Sequence, residues 1–484
     1  MKSRWTPQKS AILLFTCAVA LAVILRFLAL FQFSPDSATY LTGAINLLKH
    51  GDLFLYVNWP SKDMHPMPEP YAEFAPGFPF YILPFLVIFK NPLLASAVAQ
   101  TVAILYLFAI NYILLNELYI SLLLRITATA LVGTFSFYQY ILGYFWTEPL
   151  FISLTFTTAF FSLRLLSERK PHRFNYLLAG SLFFGSTIKY IGILNVGLLL
   201  FPALKKKEYK ALTLYSFVAA VPIVGWMARN RLRFGYSTST HHFGHQIISG
   251  YLTVPFKHIV STFSQGSYLL FLPYLGILLF PLMMPLRNNK LEAERFNTLL
   301  IGFLAMFLGI WMVSILAVFN VLDNRLLSPS YAIFIVLILY SFELIVSFLP
   351  VRYFASVTAL LLFGSLLHPM SNPRALMEGW PPRLGNLPES TVWNELIEKK
   401  TYTTASHFYS DYDFNHQIFA QKPQRIIWWD SVSESDAKTY LSLGTDPFFI
   451  FNVDSDLGKQ FKQFYGNLGL RRTELSHFVI YSKY

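Results

Sequence analysis

The feature that most constrains this chain is the length of its apolar segments. Residues 11–31 form an apolar run of about 21 residues, long enough as a helix to cross a hydrocarbon core of roughly 30 Å. Similar runs recur along the sequence, and only 13% of the 484 residues are charged, whereas a water-soluble domain usually carries about 25%. The sequence therefore predicts a mainly α-helical bundle that crosses a membrane many times.

The first apolar run is predicted to be an uncleaved membrane span. It is too long for the apolar core of a signal peptide and lacks a small-residue cleavage site. Lys2, Arg4 and Lys9 precede it, and Lys and Arg concentrate on the cytoplasmic side of membrane proteins. We therefore expect a multi-pass protein of the cytoplasmic (inner) membrane with its N-terminus in the cytoplasm.

Two basic clusters predict the topology of the middle of the chain. Residues 168–173 (ERKPHR) and 205–210 (KKKEYK) both belong on the cytoplasmic side, so the chain between them crosses an even number of times. The stretch 174–204, of about 31 residues, is too long for one ordinary span and short for two. It is predicted to be a pair of short helices with Lys189 at the outer tip.

The complete prediction is about thirteen spans, an odd number that places the C-terminus outside. Besides the first run and the pair around Lys189, the predicted spans are 76–89, 93–115, 119–133, 134–147, 148–166, 211–228, 267–286, 297–319, 328–349 and 352–368. The outer face would carry the loops 33–75 and 229–266, the turn at 323–327 and the tail.

The composition changes near residue 369. A segment rich in Pro, Gly and Asn at 369–388 is typical of a linker, and beyond it strand-like runs alternate with polar helical ones. We therefore predict a membrane domain over 1–368, a linker over 369–388 and a small extracytoplasmic α/β domain over 389–484.

Cysteine content and charge exclude several classes of protein. Cys17 is the single cysteine and lies in an apolar run, so there is no disulfide framework and no cysteine metal site. The net charge of +12 comes largely from short Lys and Arg clusters between apolar runs, the pattern that orients membrane helices. We expect membrane lipids, and no nucleic acid, as partners.

An acidic residue follows the first predicted span. Asp36 begins a stretch, 36–48, whose apolar residues have helical spacing, so an amphipathic helix is predicted along the outer surface. Ser34 or Asp36 would be its N-cap, because both residue types are favoured there. The pattern leaves two interpretations of Asp36 open, a helix cap or a functional carboxylate.

Two further acids stand at predicted outer ends of spans. Glu73 comes shortly before Pro76, and Glu148 comes directly before Pro149. Proline at these positions stops a helix from extending backward, which leaves Glu73 in irregular backbone at the membrane surface. Each acid alone could be a solvated loop residue, but three acids at three outer helix ends form a more specific pattern.

These segments resemble a known family. The Asp-led helix, YAEFAPGFPF, TEPLF and the mid-chain GWMARNRLRFG are similar to the C-type (GT-C) membrane glycosyltransferases, which include protein O-mannosyltransferases and lipid A aminoarabinose transferases. The likeness extends from about residue 10 to about residue 350. It implies hexosyl or pentosyl transfer from a polyprenyl phosphate sugar to a lipid, glycan or protein acceptor on the outer face.

The resemblance also implies roles for the acids. Asp36 occupies the place of the catalytic base, and Glu73 and Glu148 match acids that hold a divalent metal ion or orient the substrates. Two positions depart from the family pattern: Ser37 stands where many relatives have a second acid, and Phe74 stands where a Lys often follows. A phosphate contact from that Lys must come from elsewhere or be missing.

Cationic side chains would stabilise the charge on a departing phosphate. The resemblance assigns Lys189 and Arg325 to this role, although a lysine in an apolar stretch can instead snorkel to the interface. Arg229 and Arg231 either join the phosphate site or anchor the end of a span.

Three histidines, His241, His242 and His245, form an HHxxH pattern in the second predicted outer loop. Histidine is a common metal ligand, so the pattern is compatible with a metal or phosphate site and equally with solvated loop residues.

Two other functions remain as alternatives. A transporter or flippase of a lipid-linked saccharide also needs many spans and a few buried charges, but transporters usually show internal repeats and acids near the bilayer midplane. Here the acids lie at predicted helix ends and the sequence shows no internal repeat, which favours the enzyme. A non-catalytic scaffold for the C-terminal domain would be indifferent to Asp36→Asn.

Overall fold

The computed structural model describes the greater part of the chain before residue 349 and the elements of a sheet near the C-terminus. The described residues are 7–29, 34–55, 69–72, 74–167, 172–235, 237, 253–264, 266–283, 290–316, 325–348, 407–410, 425–427, 438, 447–452, 456–474 and 478–482. Glu73, His241, His242, His245 and the predicted span 352–368 and linker 369–388 lie outside them.

Helices account for most of the described residues before 349. In chain order they are α1 (Pro7–Ala29), α2 (Pro35–His50), α3 (Gly77–Phe89), α4 (Pro92–Glu117), α5 (Leu122–Thr134), α6 (Ser136–Gly143), α7 (Glu148–Ser167), α8 (His172–Ile188), a 3-10 helix (Tyr190–Val196), α9 (Gly197–Lys206), α10 (Tyr209–Phe234), α11 (Val254–Ser264), α12 (Tyr268–Met283), α13 (Lys290–Leu316) and α14 (Ser328–Phe348). Two short antiparallel strands, β1 (Phe54–Leu55) and β2 (Glu69–Pro70), follow α2.

By length and composition, five of the described helices can cross a membrane. They are α4, α7, α10, α13 and α14, and shorter apolar helices lie in α1, α3, α5 and α12. These helices indicate an integral membrane protein. Among the predicted spans, 134–147 corresponds to α6, which is only eight residues long and covers about 12 Å at 1.5 Å per residue. The number thirteen therefore stays a prediction.

The described residues fall into two compact units. The first contains α1, most of α4 and the helices from α5 to α14. Within it α7 and α14 are buried along most of their length, whereas α10 is largely exposed. This exposure is expected of a helix whose apolar surface faces lipid, because lipid tails are as apolar as a protein core.

Within the first unit, α8, the 3-10 helix and α9 form a helical hairpin that runs out and back along α7. Lys189, at the break, contacts Glu148 at the first residue of α7, while Lys206, at the end of α9, donates to the carbonyl oxygen of Leu165 near the end of α7. The predicted pair of helices with a break at Lys189 is confirmed, whereas the position of that break on the outer side of the membrane stays a prediction.

Buried polar side chains join α7 to this hairpin. Thr155 Oγ1 donates to Asn195 Oδ1 at 3.1 Å, and Thr158 Oγ1 lies 3.0 Å from Ser181 Oγ. Interhelical hydrogen bonds in a membrane contribute roughly 1 kcal/mol each. They help to fix the hairpin against α7, and thereby the position of Lys189.

The two ends of α7 carry two charged clusters. Glu148, Lys189 and Arg325 meet at its first residue and are called the Glu148 cluster below. At its last turn Arg164 pairs with Glu117, which also pairs with Arg295, and these three residues are called the Glu117 cluster. Glu148 and Arg164 are separated by about 24 Å along α7, at a rise of 1.5 Å per residue.

The second unit contains α2, the β1–β2 pair, α3, the start of α4 and the C-terminal sheet. Helix α2 begins with a capping box: Ser37 N donates to Ser34 Oγ at 3.3 Å, and Ser34 N donates to Ser37 Oγ at 3.0 Å. Gly51 ends the helix in the left-handed region, at φ 72°, where glycine is favoured.

The burial of α2 is not confined to an apolar face, and its position along the outer membrane surface stays a prediction. Its Tyr40, Leu41 and Ala44 are buried as expected of an apolar face, but so are Thr39 and Thr42. The helix emerges only in its last turn, at 48–50. The sequence pattern does not predict this burial, because threonine counts as polar in an amphipathic helix although it also packs in protein cores.

The C-terminal sheet has five strands in the order β4-β3-β5-β7-β6. The strands are β3 (His407–Ser410), β4 (Arg425–Ile427), β5 (Pro447–Asn452), β6 (Arg471–Glu474) and β7 (Phe478–Ser482), and α15 (Asp456–Phe464) lies between β5 and β6. β3 pairs in parallel with β4 and β5, while β7 pairs antiparallel with β5 and β6. Phe461 packs on Phe449 and Tyr481. A separate domain over 389–484 stays a prediction.

Candidate active site

Glu148 occupies the first position of α7 and its side chain is completely buried. One oxygen, Oε1, accepts from Lys189 Nζ at 2.7 Å and from Arg325 Nε at 3.2 Å. The other oxygen, Oε2, accepts from Thr147 Oγ1 at 3.3 Å. A buried carboxylate is stable only when its charge is compensated in this way.

Lys189 stands where the helical hairpin reverses. Helix α8 ends at Ile188, and Lys189 has extended backbone, with φ −142° and ψ 139°, before the 3-10 helix begins. Irregular backbone at membrane depth is tolerated where it is buried in protein or lines a cavity. The Lys189 side chain is 13% exposed, so it is held inside the bundle by its ion pair with Glu148.

Glycine makes this reversal possible. Gly192 N donates to Lys189 O at 2.8 Å, and a Cβ at Gly192 would collide with the carbonyl group of Gly185. The neighbouring Tyr190 hydroxyl donates to the carbonyl oxygen of Phe74 at 3.1 Å. The turn that carries Lys189 is therefore packed against α8 on one side and against the segment that follows Glu73 on the other.

Arg325 lies in the turn before α14, and 10% of its side chain is exposed. Its guanidinium carbon lies 3.8 Å from the centroid of the Trp146 ring. Trp146 in turn stacks on Tyr144, with centroids 4.3 Å apart and an interplanar angle of 10°. A guanidinium on an aromatic face has a fixed plane, so Trp146 and Glu148 together orient Arg325.

The Glu148 cluster brings together three residues that are far apart in sequence. Counted by themselves, its side chains carry two positive charges and one negative charge, so the cluster has a net charge of +1. Arg offers a planar fork of donors and Lys a compact point charge. An anionic group with several oxygens, such as a phosphate, matches this pair of donors.

The overall structure is similar to several solved structures. ArnT from Cupriavidus metallidurans matches with a TM-score of 0.60 at 13% identity over 99% of each chain. The Archaeoglobus fulgidus oligosaccharyltransferase matches with a TM-score of 0.55 at 13% identity, over 93% of this chain and 69% of that chain. The mycobacterial arabinofuranosyltransferase AftD matches with 0.57 at 14%, over 96% of this chain and 39% of that chain.

The chain has the fold of the C-type glycosyltransferases. The predicted resemblance is thereby confirmed at the level of fold. No family model and no curated protein match the sequence itself. ArnT has also been solved bound to undecaprenyl phosphate, a structure that covers 98% of this chain at a TM-score of 0.59.

Glu148 accepts from both cations on one oxygen and from Thr147 on the other, an arrangement compatible with the orienting role. The described residues contain no group of three or more His, Cys, Asp or Glu side chains close enough to hold a metal ion. The choice between the metal-holding and the orienting role of Glu148 stays a prediction.

Asp36 lies in the first turn of α2 and is partly exposed. The cap of that helix is Ser34, with Ser37 as its reciprocal partner, so the interpretation of Asp36 as the N-cap is wrong. A carboxylate in the first turn still interacts favourably with the helix dipole. Ser37, which stands in place of a second acid, is occupied by the capping box.

Arg229 and Arg231 lie near the end of α10. The Arg229 guanidinium carbon is 4.4 Å from the Trp226 ring centroid, and Arg231 donates to the carbonyl oxygen of Gly235, which ends the helix. Both arrangements are those of residues that anchor a helix end. Their participation in a phosphate site stays a prediction, as do the roles of Glu73 and of the histidines.

Sequence reasoning did not find the contribution of Trp146. Nothing in the residue type separates a lipid-facing tryptophan ring from a platform under a guanidinium. Its position two residues before Glu148, in WTEPLF, was the available signal. The partner, Arg325, is 179 positions away in the sequence, and only the fold joins them.

Proposed function

We propose that this protein is a membrane glycosyltransferase that transfers a hexosyl or pentosyl group from a polyprenyl phosphate sugar. The acceptor would be a lipid, a glycan or a protein on the outer face of the cytoplasmic membrane. In this arrangement the N-terminus is cytoplasmic, about thirteen spans cross the bilayer, and the C-terminal α/β domain lies outside.

The Glu148 cluster is the observation that carries this proposal. Lys189 and Arg325 hold a buried positive site beside the first residue of a membrane-spanning helix, where a lipid-linked phosphate could reach it from the bilayer. Two proteins with the same fold support the choice of ligand: ArnT has been solved with undecaprenyl phosphate and the archaeal oligosaccharyltransferase with a dolichol phosphate.

The proposed reaction needs two kinds of group. The bond between the sugar C1 and the phosphate oxygen breaks, and a new bond forms between C1 and the acceptor. Lys189 and Arg325 would stabilise the charge that develops on the departing phosphate. Asp36 would accept the proton of the attacking acceptor hydroxyl, a contribution that is typically worth a hundredfold or more in rate.

A divalent metal ion, if the reaction uses one, would be held by Glu73 and Glu148, as the resemblance implies. His241, His242 or His245 are further candidates. When bound, such an ion would supply additional positive charge beside the departing phosphate.

A transfer assay with Asp36→Asn tests the proposed function. Purified protein is incubated with labelled polyprenyl phosphate sugars and candidate acceptors, and transfer is expected to fall by about a hundredfold or more in the variant. Asp52→Asn is the matched control, since Asp52 lies just beyond the other end of α2 and accepts from Leu53 N at 2.8 Å, which an amide oxygen can also do.

Three results would oppose the proposal. Full transfer by Asp36→Asn would exclude Asp36 as the base. Movement of the labelled lipid across a vesicle membrane without transfer would favour the transporter, and neither activity with any donor would favour the scaffold.

A further inference from the structure

The position of Glu148 raises a question about the proposed phosphate site. Its Oε1 lies between Lys189 Nζ, at 2.7 Å, and Arg325 Nε, at 3.2 Å. An oxygen placed between these two donors occupies the place that a phosphate oxygen would take if both cations bound the departing group. A carboxylate with no exposed surface at that place competes with the phosphate for the same donors.

The charge of the phosphate changes during the proposed reaction. A polyprenyl phosphate sugar is a phosphodiester with one negative charge, whereas the released polyprenyl phosphate is a monoester with close to two above pH 7. The three side chains of the Glu148 cluster carry +1 in total. Removal of the Glu148 charge would raise this total to +2, a change that favours a dianion over a monoanion.

We propose that Glu148 is a specificity-determining residue that makes the site distinguish the phosphodiester donor from the phosphomonoester product. The inference rests on the proposed function, because it concerns the phosphate site of that reaction. Through its negative charge, Glu148 weakens the binding of the dianionic product more than that of the monoanionic donor. When the product leaves, the Glu148 carboxylate satisfies both cations again, so product release leaves no buried cation unpaired.

Removing the negative charge of Glu148 tests this inference. Coulomb energy is proportional to the product of the two charges, so Glu148→Gln improves the affinity of a dianion by about twice as much, on a logarithmic scale, as that of a monoanion. If the diester binds about threefold more tightly, the monoester is expected to bind roughly tenfold more tightly.

The measurement compares two probes in detergent at pH 8. They are undecaprenyl phosphate, a monoester, and its methyl ester, a diester that cannot donate a sugar. The dissociation constant of each is measured for the wild type and for Glu148→Gln. The expected result is a selective gain for the monoester, together with stronger inhibition of transfer by added undecaprenyl phosphate.

Two further variants separate the charge effect from a structural one. Glu148→Gln combined with Lys189→Met restores the net charge to +1 and is expected to return the monoester-to-diester ratio of affinities to the wild-type value. Glu117→Gln is the matched control, since it removes a carboxylate from between two cations at the other end of α7. It is expected to leave the ratio unchanged.

The outcomes distinguish this inference from the proposed function. A wild-type protein that binds neither probe contradicts the proposed function. A wild type that binds the monoester, with an equal or smaller monoester-to-diester ratio in Glu148→Gln, overturns the role of Glu148 and leaves the proposed function standing. If Glu148→Gln does not fold, Glu148→Asp, which keeps the charge, must retain the wild-type ratio, and a changed ratio there also overturns the inference.

Discussion

The two ends of α7 carry the same chemical motif, a buried glutamate between two cations, in very different settings. In the Glu117 cluster the acid pairs with Arg164 at 2.7 Å and Arg295 at 3.3 Å. All three residues belong to regular helices, the end of α4, the end of α7 and the start of α13. Such a cluster connects three helix ends.

In the Glu148 cluster both cations lie outside α-helices. Lys189 is an extended residue between α8 and a 3-10 helix, and Arg325 lies in the turn before α14. The backbone groups of Lys189 are nevertheless paired, since its N–H donates to Gly185 O at 3.1 Å and its carbonyl oxygen accepts from Gly192 N at 2.8 Å. A fold that only needed to join helices could do so with regular backbone, as the Glu117 cluster does.

The charges surrounding the two clusters also differ. Near the Glu117 cluster, Arg295 also hydrogen-bonds Tyr340, whose surroundings include Glu292 and Glu343. Arg164 is 37% exposed, so water screens it, whereas Lys189 and Arg325 are 13% and 10% exposed. The same ion-pair motif therefore joins helix ends in the Glu117 cluster and forms a candidate binding site in the Glu148 cluster, because the backbone and the exposure around the charges differ.

The largest expected effect comes from breaking the turn that carries Lys189. In Gly192→Ala the new Cβ meets the carbonyl group of Gly185, which is backbone and cannot rotate away. Overpacking of this kind costs about 1–3 kcal/mol, and relief of the clash moves Lys189 away from Glu148. We expect transfer activity to fall at least about tenfold while the folded protein can still be purified.

Gly180→Ala is the matched control for this variant. Gly180 lies within α8, and a Cβ there meets nothing within 4 Å. Alanine is the better helix former, so stability should be equal or slightly higher and activity unchanged. Equal activity of Gly192→Ala and the wild type would show that the close approach of the two glycines does not position Lys189.

A smaller effect, on stability alone, is expected from breaking the Glu117 cluster. Glu117→Gln leaves Arg164 and Arg295 without their carboxylate. Removing one partner of a fully buried ion pair costs about 3–5 kcal/mol, and partial exposure of Arg164 reduces the expected loss to about 2 kcal/mol. The measurement is the lowering of the unfolding midpoint in detergent at constant lipid. A loss of undecaprenyl phosphate binding in the folded variant would contradict the purely structural role.

The sequence predicts most of the helices because apolar length is a strong signal. Helix α11 was not predicted, because it lies within 229–266, which the sequence predicts to be one outer loop. Its buried Ile259, Val260 and Phe263 have the spacing of one helix face, but the segment is short and follows a long polar stretch. The length of helix α6 is shorter than the predicted span 134–147. Apolar residues continue on both sides of the helix, so the apolar run is longer than the helix.

The candidate site could be predicted only in part. Glu148, Lys189 and Arg325 were each identified from a short motif or from charge in an apolar stretch, but their meeting at one oxygen depends on the packing of α7, the hairpin and α14. The Glu117 cluster was not predicted at all. Basic residues near span ends indicate the cytoplasmic side of a membrane protein. They do not indicate which of them form ion pairs in the folded protein.

The smallest expected effect concerns the platform beneath Arg325. Trp146→Leu keeps most of the apolar volume and removes the ring whose centroid lies 3.8 Å from the guanidinium carbon. A cation–π contact contributes about 0.5–2 kcal/mol, so the KM for the donor should rise about twofold to thirtyfold with a smaller change in kcat. Trp146→Phe, which keeps an aromatic face, should recover most of the loss.

Trp226→Leu is the matched control, because it removes the ring beneath a different arginine. Trp226 also carries an arginine, Arg229, at 4.4 Å, but at the end of α10. If Arg229 only anchors that helix, the donor KM should not change. An equal rise in KM for both leucine variants would place Arg229 in the phosphate site. A rise in KM for Trp226→Leu alone would contradict the assignment of the phosphate site to the Glu148 cluster. Donor binding would then depend on Arg229 and not on Arg325.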